Sequence, residues 1–312
     1  MLGADETGGG ADGRAYLLLT IVILSLGINW PILAMGLGYV SPAWMTVFRL
    51  ASATLVVSLF NAVTGRLRLP ARGDLPMVLS VGLVRLAFVY YIVLVALQFV
   101  PPGRSSVLVW TSSLWTVPMA WIFLRERMTG LRWAGLAVGI GGIVVLVGPA
   151  RLVGPDSLLG HTLLLVAAVA NAAVAVHIRA HRWHGSPLDL LPWQLWVALA
   201  PVAAGTLLLE GPPASSWDPT FGLIVAYQGI FATALALWAQ VSVLRRLPAV
   251  STNLSLMAVP VVGLLSSAVI AGEEITAGVL TAMALIGTGV GLNLLADARE
   301  RATARTQPLL PD

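Results

Sequence analysis

Apolar runs of about 20 residues follow one another along almost the whole chain, separated by short clusters of arginine, glycine or proline. A helix needs about that many residues to cross the hydrocarbon of a bilayer, and the runs lack the strict apolar–polar alternation of barrel strands. The pattern predicts ten transmembrane helices near 16–36, 43–62, 75–97, 103–124, 131–149, 158–178, 190–209, 220–243, 249–271 and 276–295. Residues 1–15, MLGADETGGGADGRA, read as a polar tail. The run behind them is too long and too poorly flanked for a cleaved secretory signal. Residues 296–312 form a second tail, and 150–157 a linker between two groups of five spans, 16–149 and 158–295.

The charges between the runs supply a direction. All 18 basic residues are arginine. With the N-terminus inside, one side collects Arg14, Arg66, Arg68, Arg72, Arg125, Arg127, Arg132, Arg179, Arg182, Arg245, Arg246, Arg299, Arg301 and Arg305. The other side holds Arg104 and Arg151 beside Asp156, Glu210, Asp218, Glu273 and Glu274. Short cytoplasmic loops carry the positive excess, so both termini are expected in the cytoplasm of a bacterial inner-membrane protein. Arg49 and Arg85 remain inside spans.

The chain also repeats itself at an offset of 147 residues. The stretch from Val100 lies without a gap over the stretch from Leu247, so that Pro101 meets Pro248, Glu126 meets Glu273 and Thr129 meets Thr276; upstream, Gly82 meets Gly229. Around the second span of each half the offset slips to 145, and Arg49 meets Gln194. An odd number of spans per half turns the second half over, and inverted repeats are the architecture of alternating-access carriers. Duplication that merely enlarged a membrane scaffold is the competing explanation.

Composition then works by exclusion. The chain is 58% hydrophobic and 10% charged with a mean hydropathy of +0.88 and no cysteine. That excludes a soluble domain, a disulfide framework and thiol chemistry. The basic residues are scattered between apolar runs, which argues for a lipid bilayer and against nucleic acid as the partner. His177, His181 and His184 sit together in a basic segment without a ligand constellation, so no metal is expected, nor any other cofactor. GVGLN in the last span lacks the strand and lysine of a phosphate loop, so ATP is not expected to drive the protein. All 14 acidic residues fall in tails, loops or span ends, which leaves no carboxylate for a proton relay through the membrane.

Three features together resemble the drug/metabolite transporter superfamily in its EamA-type branch. They are a proline-then-arginine pattern in the second span (Pro42 to Arg49), the proline and glutamate–threonine ends of the fourth and ninth spans (Pro101 with RERMT, Pro248 with GEEIT), and glycine-rich fifth and tenth spans. The resemblance covers roughly residues 16–295. It implies an all-α membrane fold of ten helices in two inverted five-helix repeats. The first four helices of each half would surround a central cavity, with the fifth helices outside it. It also implies export or exchange of amino acids, related metabolites or amphipathic drug-like compounds. One departure concerns the fourth span, which has Ser113 where its repeat has Pro260, its own Pro118 coming later.

Candidate substrate-binding residues are those whose presence in lipid needs a reason. Arg85 is a permanent charge at mid-span with no internal acid, which suits it to a substrate carboxylate or phosphate, or to backbone carbonyls or a gate. Arg49, flanked at helical spacing by Thr46 and Ser52, is either a substrate contact or an architectural residue. Asn29 and Trp30 precede Pro31, which frees a carbonyl one turn earlier. Asn171 lies mid-span among Ala167, Ala168 and Ala175, where interhelical bonding is the alternative. Thr111 and Trp115 in VWTSSLWT offer hydroxyls beside an aromatic wall. Tyr227 is a weaker candidate, as are Tyr90, Tyr91 and Trp238. Trp44, Trp133, Trp193 and Trp217, near span ends, suit the interfacial belt. Gly135, Gly139 and Gly142, with Gly287 and Gly291, form close-packing faces for a homodimer or for contacts within one chain.

These features predict no enzyme but a secondary transporter that exports or exchanges a small-molecule substrate. Uptake of an anionic metabolite is the alternative within transport. A receptor or assembly factor, which would not transport, is the alternative outside it.

Overall fold

A computed structural model describes residues 7–148, 154–213, 218–236 and 255–306. Arg151, Trp217, Trp238, Arg245, Arg246 and Pro248 lie outside the described residues. The helices are α1 (Thr7–Gly36), α2 (Pro42–Val63), α3 (Arg72–Ala96), α4 (Pro102–Leu124), α5 (Gly130–Val147), α6 (Pro155–Ala180), α7 (Pro187–Glu210), α8 (Pro219–Leu235), α9 (Ala258–Ala271) and α10 (Ala277–Thr306). No strand occurs among the described residues. Eight helices are long and apolar enough to cross a membrane; α8 and α9 are shorter and flank residues 237–254, outside the described residues. Outward-facing Leu55, Leu59, Val63, Leu208 and Val269 give the bundle the oily exterior that lipid requires.

Helix ends follow local chemistry where a cap exists. Ser41 accepts the Trp44 N–H and Pro42 occupies the first turn, which starts α2 one residue before the apolar run. Pro155 and Asp156 likewise start α6 inside the segment expected to be a linker. By contrast α1 begins at Thr7 and α10 continues to Thr306, well into both expected tails. Hydropathy marks the lipid-crossing part of a helix and not its hydrogen-bonded end.

The glycine face of α5 is used within the chain. A Cβ on Gly289 would lie 2.5 Å from the Gly135 carbonyl oxygen and 2.7 Å from the Gly139 nitrogen, and one on Gly142 would lie 2.8 Å from the Ala282 carbonyl. The backbones of α5 and α10 therefore touch. On α10 the contact falls on Gly289, whereas Gly291 has open space at its Cβ.

Two departures from α geometry recur at the repeat offset. Ser80–Val89 in α3 and Tyr227–Leu235 in α8 are π-helical, and their starts differ by 227 − 80 = 147 residues. Such turns are rare and concentrate at functional sites. Gly82 of α3 lies against Val197 of α7, 3.1 Å from a Cβ, while Gly229 of α8 lies against Ser52 of α2, 2.5 Å between Cβ positions. Gly82 and Gly229 are related by the 147-residue offset found in the sequence, and Ser52 and Val197 by the 145-residue one. The α4 helix also breaks at Thr111 and the chain before α9 at Met257, although the first break has no proline at 113. The Thr111 hydroxyl and N–H both donate to the Leu108 carbonyl, closing the break locally.

Candidate functional site

At mid-depth, where helices of both sequence halves meet, lies a cavity of about 260 Å³. Its wall includes Asn29 and Trp30 of α1, Arg49 of α2, Arg85 and Tyr90 of α3, Trp110 of α4, Asn171 of α6 and Ala232 of α8. Five residues chosen from the sequence, Arg85, Arg49, Asn29, Trp30 and Asn171, thus share one wall. Among the described residues, no carboxylate lines it.

The two arginines differ in what holds them. Arg49 is buried, its Nε donates to the Thr233 hydroxyl at 3.3 Å, and its guanidinium lies 4.0 Å from the Tyr90 ring centroid. Thr233 in turn donates to the Gln228 carbonyl at 2.8 Å. Arg49 therefore pins α2 to α3 and to the π-helical part of α8 by a hydrogen bond and a cation–π contact. Arg85 sits near the middle of the π-helical stretch of α3 and is half-buried. It has neither a hydrogen bond nor an ion pair among the described residues. Its counterpart Ala232 lines the same cavity, so the charge belongs to one half only.

The α1 wall is shaped by Pro31. The ring removes the donor that would reach the Gly27 carbonyl, and the Ser266 hydroxyl of α9 takes that carbonyl at 3.4 Å. Asn29 is buried with its Oδ1 unpartnered among the described residues, an acceptor without a donor on the cavity wall. Asn171 lines the same cavity.

Three sequence candidates lie elsewhere. Thr111 spends its hydroxyl on Leu108, Trp115 packs against the main apolar core, and Tyr227 donates to the Ser25 carbonyl at 2.8 Å. Tyr90, a weaker sequence candidate, and Trp110, which is not among the sequence candidates, emerge instead. Tyr90 stacks on Arg49, and Trp110 lines both this cavity and a second one of about 470 Å³.

The second cavity runs toward the arginine-rich end between α4, α5, α9 and α10. Its rim is an ionic cluster. Arg132 binds Glu126 at 3.0 Å and Asp297 at 2.7 Å, and Arg179 also binds Glu126. At the opposite end Glu273, the counterpart of Glu126, caps α4 by accepting the Gly103 N–H at 2.7 Å and the Arg104 N–H at 3.1 Å, with the Arg104 side chain 3.6 Å away. A carboxylate at a helix N-terminus is favoured by the exposed N–H groups and the dipole. Burial nevertheless pushes the Glu273 carboxyl above the usual carboxylate range, against those donors and Arg104.

An all-helical bundle with a lipid-compatible exterior and an arginine-bearing cavity at mid-depth is the form of a multi-span membrane transporter. Comparison with known proteins narrows this. The EamA-like transporter family model matches residues 13–148 and again 158–295. The chain belongs to the EamA-like transporter family. Among similar proteins, one from Salmonella typhimurium named "Probable amino-acid metabolite efflux pump" is 28% identical over 304 residues, covering 94% of this chain and 98% of that protein. The "Probable terminal-alkyne amino-acid exporter" of Streptantibioticus cattleyicolor is 27% identical, covering 89% of this chain and 91% of its own. A solved crystal structure matches with a TM-score of 0.63 at 22% identity over 92% of this chain and 99% of that one, a likeness of fold.

Proposed function

We propose that the chain is a secondary transporter that exports or exchanges a small carboxylate-bearing metabolite, of the amino-acid class, by alternating access across the bacterial inner membrane. The observation that carries this reading is Arg85, a permanent charge without a protein partner among the described residues, on the wall of a mid-depth cavity that has no acid. A substrate carboxylate supplies the missing anion through two parallel N–H···O bonds. The unpartnered Asn29 Oδ1 accepts from the substrate's amino group, and the faces of Trp30, Trp110 and Tyr90 suit its side chain and its positive end. Relatives named as amino-acid efflux pumps and exporters support the substrate class.

Alternating access rests on the ten-span, inverted-repeat reading. The matching π-helical segments and the reciprocal Gly82–Val197 and Gly229–Ser52 crossings favour it, as does the double match to one family model. In this conformation Glu273 ties the end of α9 to the start of α4 at the arginine-poor end, and the larger cavity approaches the arginine-rich end, with Trp110 lining both cavities. Both termini lie in the cytoplasm, so that larger cavity is the cytoplasmic vestibule.

Counterflow in proteoliposomes tests the reading. Preloaded amino acids should accelerate entry of a labelled amino acid, with amides and esters of the same compounds much weaker. Folded protein that exchanges no member of an amino-acid and organic-anion panel would overturn it.

A further inference from the structure

At the arginine-rich end, the start of α3 meets the α6–α7 loop. Asp74 converges there with two histidines more than 100 residues further along the chain: its carboxylate lies 2.8 Å from His181 Nε2 and 3.3 Å from His184 Nδ1. All three donor atoms lie within 4.8 Å of one another. We propose that Asp74, His181 and His184 form a binding site for a divalent transition-metal ion of the zinc type, separate from the transport cavity.

The donor set fits that ion. Two imidazole nitrogens and one carboxylate oxygen are borderline ligands suited to Zn²⁺, and a water completes a tetrahedral open site. Ligand atoms at about 2.0–2.2 Å from a tetrahedral zinc stand about 3.3–3.5 Å apart. The His184 spacing already matches, and His181 need withdraw by about half an ångström.

The surroundings hold the ligands as a metal site requires. Asp74 is fully buried, and its carboxylate is aimed by the backbone, with the Gly185 N–H on Oδ2 at 2.9 Å and the His184 N–H on Oδ1 at 3.2 Å. Such outer hydrogen bonds orient metal-binding carboxylates. His181 is half-buried and lies edge-on to Trp183, with ring centroids 5.2 Å apart, while the His184 side chain is 56% exposed and leaves an entry path. Gly73 makes the room, since a Cβ there would stand 2.5–3.1 Å from the His184 ring. Arg72 and Arg182 beside the cluster are exposed to solvent. A bound ion would clamp the first half, through Asp74, to the second half, through the two histidines.

Zinc titration by calorimetry, on full-length protein purified through a non-histidine tag, tests this. Tetrahedral coordination is read from the visible absorption of Co²⁺. One equivalent of Zn²⁺ per chain is expected. His181→Ala and His184→Ala should each weaken binding at least 10-fold, and Gly73→Ala should weaken it by displacing the His184 ring. Because Asp74 also caps the loop, the exposed His184→Ala carries the test if Asp74→Asn fails to fold. Arg85→Gln should bind zinc as the wild type does, which separates this site from the transport reading. Absence of saturable one-to-one binding, or binding that survives loss of both histidines, would overturn the proposal.

Discussion

Arg85→Gln is expected to lower apparent affinity for a carboxylate substrate roughly 100-fold while leaving transport of its amide nearly unchanged. The reason is a difference of charge and not of shape. Glutamine keeps the length and a donor but loses the fixed charge and the two-pronged geometry, and a charge-assisted hydrogen bond contributes about 1.5–3 kcal/mol, with about 1.4 kcal/mol per factor of ten. Among the described residues Arg85 has no protein partner to strand. Its loss therefore leaves no orphaned group, and the folded protein should survive. Arg49 is the contrasting case, because its removal orphans the Thr233 hydroxyl contact and the Tyr90 face and loosens three helices. Concentration-dependent counterflow of acid and amide by both proteins gives the comparison. Equal losses for acid and amide would leave Arg85 a structural role only.

Gly289→Val is expected to be the most destabilising single change in the α5–α10 contact, costing about 3 kcal/mol, at the upper end of overpacking effects. The atoms that its new side chain meets, the Gly135 carbonyl and the Gly139 amide, are backbone, so the helices must separate. Gly291→Val, two residues away with open space at its Cβ, is the matched control and should be close to neutral. Thermal unfolding of the two variants in the same detergent, followed by tryptophan fluorescence, reads the difference. Similar transition temperatures would mean that α5 and α10 do not pack as described.

Much of the molecule is legible where a residue conflicts with its surroundings. Arg85 and Arg49 in lipid-crossing runs, an asparagine two residues before a proline inside a span and Asn171 at mid-span all announce themselves, and the fold brings them to one cavity. The start of the second helix is legible for a different reason, since Ser41 caps it and Pro42 occupies its first turn. What escapes sequence reasoning depends on helix phase and long-range contact. Trp110 and Trp115 are five residues apart on one span and so lie about 140° apart around a helix, and only the packing of that helix among its neighbours decides that Trp110 faces the cavities and Trp115 the core. The Tyr227 hydroxyl is consumed by a carbonyl 202 residues away, and Asp74 reaches His181 across 107 residues. No periodicity encodes such pairings. The glycine faces are an intermediate case, because spacing marks close packing but cannot choose Gly289 over Gly291.

The central claim is that the mid-depth cavity holds the substrate and opens in turn to both sides of the membrane. The chain has no cysteine, so Ala175→Cys, a small substitution on the cavity wall one helical turn from Asn171, places a single thiol there. With the protein in oriented vesicles, a membrane-impermeant thiol reagent should modify that cysteine from either face, and a transported amino acid should slow the reaction while its amide does not. A thiol inert from both faces, or one that reacts at the same rate with saturating substrate present, would contradict it.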